Sequence, residues 1–531
     1  MKLTFKSGKF VLLGNAQETG KAIGFGDFWK CDADSGNYVT VSIKAAARLS
    51  RYADNHARKV IDRAFVKFYP MPAVSLPPFL DPHQVEGVTW ILTRSRSYLA
   101  HAPGAGKTFQ AIVGATLTEG SGQVVFIVPP SLTTNWAREI VKCHNLMAAS
   151  LKTWPTICVI PRTARQSSIG WGAEFLIVPD SMLTKPWVMD RLAKIEKRFI
   201  AVDEASRFKE TSATRSRLLF GGKLKDGTQS PGLIYESKHV VLMDGSPMPN
   251  RPMELWGPTF AMSPESIDFQ TQDEFGFKYC GARMGKFGRW EFKHSSNEPE
   301  LRERLQKSFM HVVEERQLEH AERRRSILLM NEDVRTVKHR EWERDHFRKS
   351  VNLRDIDDDA SQGDLARFRA ELGMRKVPWI AEYVRERMST KKEAILLFAW
   401  HRDVCFELER LLRKYKPGLI IGGIAAATRE RELTKFQIGE TDLLIMNIAA
   451  GGRGHNLQRA DRIIFGEFSW TDETNKQCEK RASRRGRAAH LPVRSDYIVC
   501  PNSMDEPILN AVFRKADLVR KITGRGERGF K

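Results

Sequence analysis

The sequence predicts an α/β protein of two lobes, each a parallel sheet covered by helices. A helical insertion is expected between the lobes and a small α+β module before them. Two observations carry the prediction. Between about 79 and 260, the short apolar runs Val124–Val128, Phe175–Val178, Phe199–Val202 and Val240–Met243 alternate with helical stretches, each run ending in a polar or glycine-proline turn. The alternation returns over 375–515 in Ile395–Phe398, Leu443–Met446 and Ile463–Phe465. Strands alternating with helical patterns imply parallel sheets with crossover helices on their faces. Ligands of such sheets sit beyond the carboxyl ends of the strands, and every candidate site is expected at one of those ends.

Residues 1–70 read as the opening module. Phe28-Trp29-Lys30, the turn Asp34–Gly36 and Tyr38–Val41 form an expected hairpin, and Ala46, Leu49, Ala53, Ala57, Val60 and Ile61 recur at helical spacing. Pro70, Pro72, Pro77 and Pro78 make a stiff linker to the first lobe, 79–260. Over 261–350 aromatic turns precede charged helical stretches such as Glu300 to Arg325, which read as the insertion, and 516–531 is a basic tail.

The 531 residues are 41% hydrophobic, enough for several cores. Lys+Arg 85 against Asp+Glu 64 leaves +21, an excess that points to a polyanionic partner, most often nucleic acid. Seven cysteines without a Cys-x-x-Cys pair argue against zinc and against a disulfide framework, so a reducing compartment is expected. Phe10–Leu13 is too short for a signal-peptide core, and no run reaches the ~20 apolar residues of a membrane span. A cytoplasmic or otherwise intracellular, DNA-associated protein is expected, with no membrane partner.

The chemistry begins at Ser97 to Thr108. A short apolar run enters a turn of Pro103, Gly104, Ala105 and Gly106, and Lys107-Thr108 opens a helix expected from Phe109 to Leu117. Glycines let backbone N–H groups approach phosphate oxygens without a Cβ in the way. The helix N-terminus favours an anion, Lys107 can reach the β/γ-phosphates, and the Thr108 hydroxyl can hold Mg2+. His101 stands where the general pattern has its first glycine, so only the Gly-Lys-Thr end is standard.

About a hundred residues later a strand ends in Val202-Asp-Glu-Ala-Ser206. Asp203 can hold Mg2+ and Glu204 can activate the attacking water, and with Gly-Lys-Thr at that distance the pair reads as an ATP site. Upstream, Gln84 after His83 offers an amide that can donate to and accept from an adenine edge, or simply sit in a helix-capping segment. Gln477 to Arg487 places Arg481 and Arg484 three residues apart, on one face if helical, where guanidinium groups can clamp a γ-phosphate. A basic helix on DNA phosphates is the alternative there.

The order of these stretches resembles the superfamily 2 helicases, and among them the Swi/Snf-type DNA translocases. His83-Gln84 resembles their adenine-reading motif, Leu99–Thr108 their phosphate loop, and Val128–Trp136 with Glu139 their first DNA-contact motif. Asp203–Lys209 resembles the Asp-Glu-x-His box, and Met243–Asn250 the coupling motif, carried on Gly245, Ser246 and Pro247. In the second lobe Phe398–His401, Gly422 with Arg429 and Phe436, Ala450–Leu457, Gln477–Arg487 and Met504–Glu506 follow the same order. Phe275–Cys280, Trp290, Ser295–Asn297 and Glu300-Leu301 resemble the annealing-helicase and fork-remodelling branch.

The resemblance implies two RecA-like lobes that bind ATP and Mg2+. It implies ATP contacts from His83, Gln84, Pro103 to Thr108, Gly452 and Gln477, with catalysis by Lys107, Asp203, Glu204, Arg481 and Arg484. DNA contacts are implied at Ser131, Leu132, Trp136, Gly422, Arg429, Gly451, Arg453 and Asn456. Backbone contacts of this kind would be sequence-independent and salt-sensitive. This chain departs from the pattern at Ser206 for histidine, at Asp244 for a hydroxyl residue, at Ile448 and Ala449 for Thr-Arg, and at Arg453 for an apolar residue. Val312-Val313 also stands near an expected arginine pair.

The expectation is a DNA-dependent ATPase that translocates on duplex DNA and remodels or anneals forks and junctions. A strand-separating DNA or RNA helicase and a nucleic-acid scaffold with a silent ATP site are the alternatives. No nuclease, protease or deaminase cluster is visible. The lack of a chromatin-reader domain favours a bacterial or phage source.

Overall fold

The computed structural model describes residues 1–531 apart from 7–8, 16–17, 20–22, 24–28, 33–34, 41–42, 148–153, 162–169, 228, 246, 249–250, 268–270, 286–287, 315–322, 348–363, 392, 452–456, 484–491, 511 and 513–531. The chain divides into two compact units at Val313/Glu314.

The opening module is a four-stranded antiparallel sheet in the order β1-β2-β4-β3, from β1 (Lys2–Lys6), β2 (Lys9–Leu13), β3 (Lys30–Cys31) and β4 (Tyr38–Thr40). The expected hairpin is the β3–β4 pair. The β1–β2 pair gives no such signal, because Phe10–Leu13 is a continuous apolar run rather than an alternating one. The single helical period expected from Ala46 to Ile61 is broken into the helices Ile43–Arg48 and Asn55–Ala64. Between them Ala53 forms a β-bridge with Leu3, and the Asp54 carboxylate caps the second helix by accepting from Ala57 N–H.

The sheet of the first unit holds seven strands in the order β15-β5-β12-β9-β6-β8-β7, every pair parallel. Its members are β5 (Arg96–His101), β6 (Gln123–Val128), β7 (Ile157–Val159), β8 (Phe175–Pro179), β9 (Lys197–Asp203), β12 (Ser237–Asp244) and β15 (Met310–Val313). Two small hairpins stand apart, β10–β11 (Gly222–Lys223, Gln229–Ser230) and β13–β14 (Arg283–Met284, Trp290–Glu291). The central strands are buried on both faces, which is why they read as unbroken Val/Ile/Phe runs.

The second unit has a six-stranded parallel sheet in the order β16-β21-β20-β17-β19-β18. Its strands are β16 (Arg323–Leu329), β17 (Ile395–Ala399), β18 (Gly418–Ile420), β19 (Leu443–Asn447), β20 (Arg462–Phe465) and β21 (Val493–Val499). The segment 261–350, expected as a helical insertion, carries the helices Pro264–Ile267, Gln272–Tyr279, Glu298–Ser308 and Val337–Phe347 and also gives a strand to each sheet. The charged stretch from Glu300 is helical only to Ser308; Met310–Val313 then joins the first sheet beside β5, and Arg323–Leu329 joins the second beside β21. The largely apolar Phe309–Val313 run outweighs the flanking charges because both Phe309 and Val313 are buried. Among the described residues no helix is long and apolar enough to cross a membrane.

Candidate active site

Three turns meet at the carboxyl end of the first sheet. β5, β12 and β9 are neighbours in register, with Asp244 opposite Ala100 and Met243 opposite Asp203. Their carboxyl ends carry the phosphate loop, the coupling segment and the acidic box.

The phosphate loop is tied down from behind. Gly106 caps the helix Lys107–Leu117 in the left-handed region, φ 73°, and a Cβ there would lie 2.1 Å from Gln84 Nε2. Only glycine fits both the angle and the space. The Ala105 carbonyl accepts from Gln110 Nε2 at 2.9 Å and Gln84 Nε2 at 3.3 Å, and His83 Nε2 stands 3.0 Å away. Gln84 Oε1 accepts from Asp81 N–H at 3.0 Å, closing the capping box of the helix Pro82–Leu92. The Gln84 amide is thus engaged at both ends within the chain. Lys107 Nζ donates to the carbonyl of His101 at 2.9 Å, so the ammonium lies over its own loop where phosphate oxygens would bind.

Asp203 closes β9. Its Oδ2 accepts from the Trp136 indole N–H at 2.9 Å and its Oδ1 from Glu204 N–H at 3.0 Å. The carboxyl is deep-set with a small solvent opening, and burial followed by the charge of Glu204 pushes its pKa up to about 6, against the Trp136 hydrogen bond and Lys107. Glu204 itself sits at φ 52°, ψ 52°, a left-handed conformation that non-glycine residues adopt at a cost.

The rest of the box is held by three distant carboxylates. Asp244 Oδ2 accepts from Ser206 N–H at 2.7 Å, Arg207 pairs with Asp180 beyond β8, and Lys209 pairs with Glu254 at 2.5 Å. Sequence reasoning missed these links, because each joins residues tens of positions apart with no motif in common. Asp244 is an exception in part. It stands at a position that departs from the family pattern, and its carboxylate accepts from the backbone of Ser206, another departing position.

Two expected DNA contacts are corrected. Trp136 is 1% exposed, its ring 4.6 Å from that of Phe126 in the apolar core, and its one polar atom is engaged by Asp203. Leu132 is also buried in that core. Ser131 is exposed. Gly245 and Pro247 are buried beside Asp244, while Ser246 lies outside the described residues.

In the second unit the helix Asp472–Glu479 carries Gln477 and ends before Arg481, which lies buried in the following turn with its carbonyl accepting from Leu457 N–H at 2.8 Å. The expected pair of arginines on one helix face is therefore not formed at Arg481, because the chain turns to meet Leu457; Arg484 lies outside the described residues, as do Gly452, Arg453 and Asn456. Gly422 is exposed in the turn after β18, Arg429 is half-buried on the helix Ala426–Ile438, and Gly451 ends the helix Ile448–Gly451. Arg325 from β16 is bidentate on Glu479 and reaches Asp472 at 2.8 Å, and the Tyr497 hydroxyl donates to Glu479 at 2.9 Å. Burial opposes the Arg325 charge, but Asp472 and Glu479 overcome it and hold the guanidinium protonated.

The SNF2-related domain matches residues 83–364, and the helicase conserved C-terminal domain matches residues 375–488. The chain belongs to the SNF2-related family. It is 26% identical to the Bos taurus DNA annealing helicase and endonuclease ZRANB3, over 84% of this chain and 41% of that protein. It is 25% identical to the Xenopus laevis SWI/SNF-related matrix-associated actin-dependent regulator of chromatin subfamily A-like protein 1, over 80% of this chain and 42% of that protein. The chain thus spans about two-fifths of the length of these two relatives. Among solved structures, the Sulfolobus solfataricus SWI2/SNF2 ATPase core in complex with dsDNA is 17% identical, covering 86% of this chain and 95% of that one at a TM-score of 0.37.

The first-unit corner of this SNF2-related chain fits nucleotide and Mg2+. A lysine turned onto carbonyls and a left-handed glycine at a helix N-terminus suit phosphate. An aspartate made hard to ionise by burial and by a neighbouring carboxylate suits a divalent cation. Among the described residues no group of three or more His, Cys, Asp and Glu side chains is placed to hold a metal.

Proposed function

We propose that the chain is a DNA-stimulated ATPase that translocates on duplex DNA and remodels or anneals forks and junctions. The observation that carries this reading is that Lys107, after β5, and Asp203 and Glu204, at the end of β9, lie on either side of β12 at the carboxyl end of one sheet, with the Lys107 charge acting on Asp203, in an SNF2-related chain. Lys107 binds and neutralises the β/γ-phosphates, and Glu204 orients and deprotonates the attacking water. Mg2+, when bound through Asp203 and Thr108, supplies charge neutralisation on the phosphates. Arg481 and Arg484 are assigned to the γ-phosphate, Gly452 and Gln477 to the nucleotide, and His83 and Gln84 to the adenine side.

Ser131, Gly422, Arg429, Gly451, Arg453 and Asn456 are assigned to the DNA backbone, consistent with a net charge of +21. Ser246 with Gly245 and Pro247 couples hydrolysis to movement. The Bos taurus relative is named a DNA annealing helicase, which supports the fork-remodelling part of the reading. The named relatives come from Bos taurus and Xenopus laevis and lend no support to a bacterial or phage source.

The remodelling claim is tested with a forked duplex and a bubbled duplex, each supplied with ATP. Fork reversal and bubble closure without release of single strands is the expected result. Release of single strands without reannealing would replace this reading with a strand-separating helicase.

A further inference from the structure

The β13–β14 hairpin presents an apolar face that the described fold leaves open. Met284 and Trp290 are cross-strand partners, 58% and 50% exposed. Phe277, on the helix Gln272–Tyr279 and 47% exposed, stands edge-on to Trp290 with ring centroids 4.9 Å apart. Soluble surfaces usually carry such residues singly, and three grouped together mark a contact site.

The platform is firmly built. Phe292, one strand repeat beyond Trp290, packs against Phe277 at 5.3 Å and lies over Gly276, where a Cβ would fall 2.6 Å from its ring. Backbone bonds from His294 N–H to the Cys280 carbonyl and from Ser296 N–H to the Tyr279 carbonyl fix the returning strand. On the hairpin itself cations outnumber carboxylates: Arg283 and Arg289 are exposed, and Lys293 pairs with Glu291 at 3.7 Å. On the neighbouring helix Asp273 and Glu274 are exposed, and Glu300 is engaged by Lys278 and Arg304.

We propose that Trp290, Phe277 and Met284 stack unpaired bases of a DNA strand while Arg283 and Arg289 hold its phosphates. Every base has a π-face that an aromatic side chain can cover, and that face is available only where the strand is unpaired. In a duplex the same faces are buried in the stack, so an intact helix would gain from the charges alone. The basic rim favours a polyanion over a hydrophobic protein partner. A fork or junction exposes the required unpaired segment, so the inference rests on the DNA reading above and places its single-strand contact on this hairpin.

The test is binding of the full chain without ATP, by fluorescence anisotropy, to an oligothymidylate of about 20 nucleotides and to a blunt duplex of equal length. Trp290→Ala is expected to lose about tenfold in single-strand affinity and under about twofold for duplex, with Trp290→Phe staying within about threefold of the parent on both. Unchanged single-strand binding in Trp290→Ala, an equal loss on both DNAs, or a parent chain that ignores the oligothymidylate overturns the proposal. Because no ATP is present, failure here is distinct from failure of the ATPase reading, which is judged by turnover.

Discussion

The indole N–H of Trp136 donates to Oδ2 of Asp203 across 2.9 Å. The bond joins the helix Thr133–Leu146, which begins two residues after the exposed Ser131, to the acid at the end of β9. A segment expected on DNA and a carboxylate expected on Mg2+ thereby share one rigid contact inside the first unit. Trp136 orients the acid and lowers its proton affinity against the effects of burial and of Glu204.

Trp136→Phe keeps a ring in the core and removes the donor. Losing a hydrogen bond to a buried carboxylate costs about 1–3 kcal/mol, and the Asp203 pKa should climb further above about 6. The acid limb of kcat/KM for ATP, which reports the free enzyme, should then move to higher pH. A superimposable pH profile would show that the bond does not tune the acid.

Asp203→Asn should stabilise the nucleotide-free chain at high pH. The folded-state pKa is raised from 3.8 to about 6, so the folded chain binds the proton more tightly than the unfolded one. Stability is lost as pH rises through that window, each tenfold in proton affinity being worth ~1.4 kcal/mol. Thermal unfolding should show a gain for the variant at pH 8 that shrinks toward pH 5. A gain equal at both values would contradict the linkage.

Asp244→Ala and Ser206→Ala should differ sharply although the two residues touch. The donor is the Ser206 backbone N–H, so Ser206→Ala keeps the bond and should stay within about 0.5 kcal/mol of the parent. Asp244→Ala leaves that N–H without this acceptor and should cost about 1–3 kcal/mol with a slower ATPase. Equal denaturation midpoints for the two variants would count against the contact.

Arg325→Met should be far more damaging than its position in a charged run suggests. It removes the guanidinium paired with the buried Glu479, which costs about 3–5 kcal/mol, while Asp472 keeps Lys476 at 2.7 Å. Urea unfolding followed by a probe in the second unit should show the early transition there. A midpoint unchanged from the parent would contradict the charge network.

How far the chain can be read depends on the range of each signal. β6, β8, β9 and β12 are visible because strands buried on both faces need continuous Val, Ile and Phe runs. The phosphate loop and acidic box are visible because phosphate chemistry demands adjacent residues of fixed type. Met310–Val313 is hidden, since a short strand directly after a charged helix carries no periodicity of its own. Trp136 is misplaced for a related reason. Its segment is recognisable, but whether an indole in a helix faces the core or solvent depends on Phe126 and Asp203, which lie elsewhere in the sequence.

The central claim is that Lys107, Asp203 and Glu204 form a working ATPase that responds to DNA. Steady-state ATP turnover of the full chain with and without duplex DNA, beside Lys107→Ala and Glu204→Gln, tests it most directly. The account predicts a severalfold rise with duplex in the parent and background rates in both variants. Equal parental turnover with and without DNA, or variants as active as the parent, would contradict it.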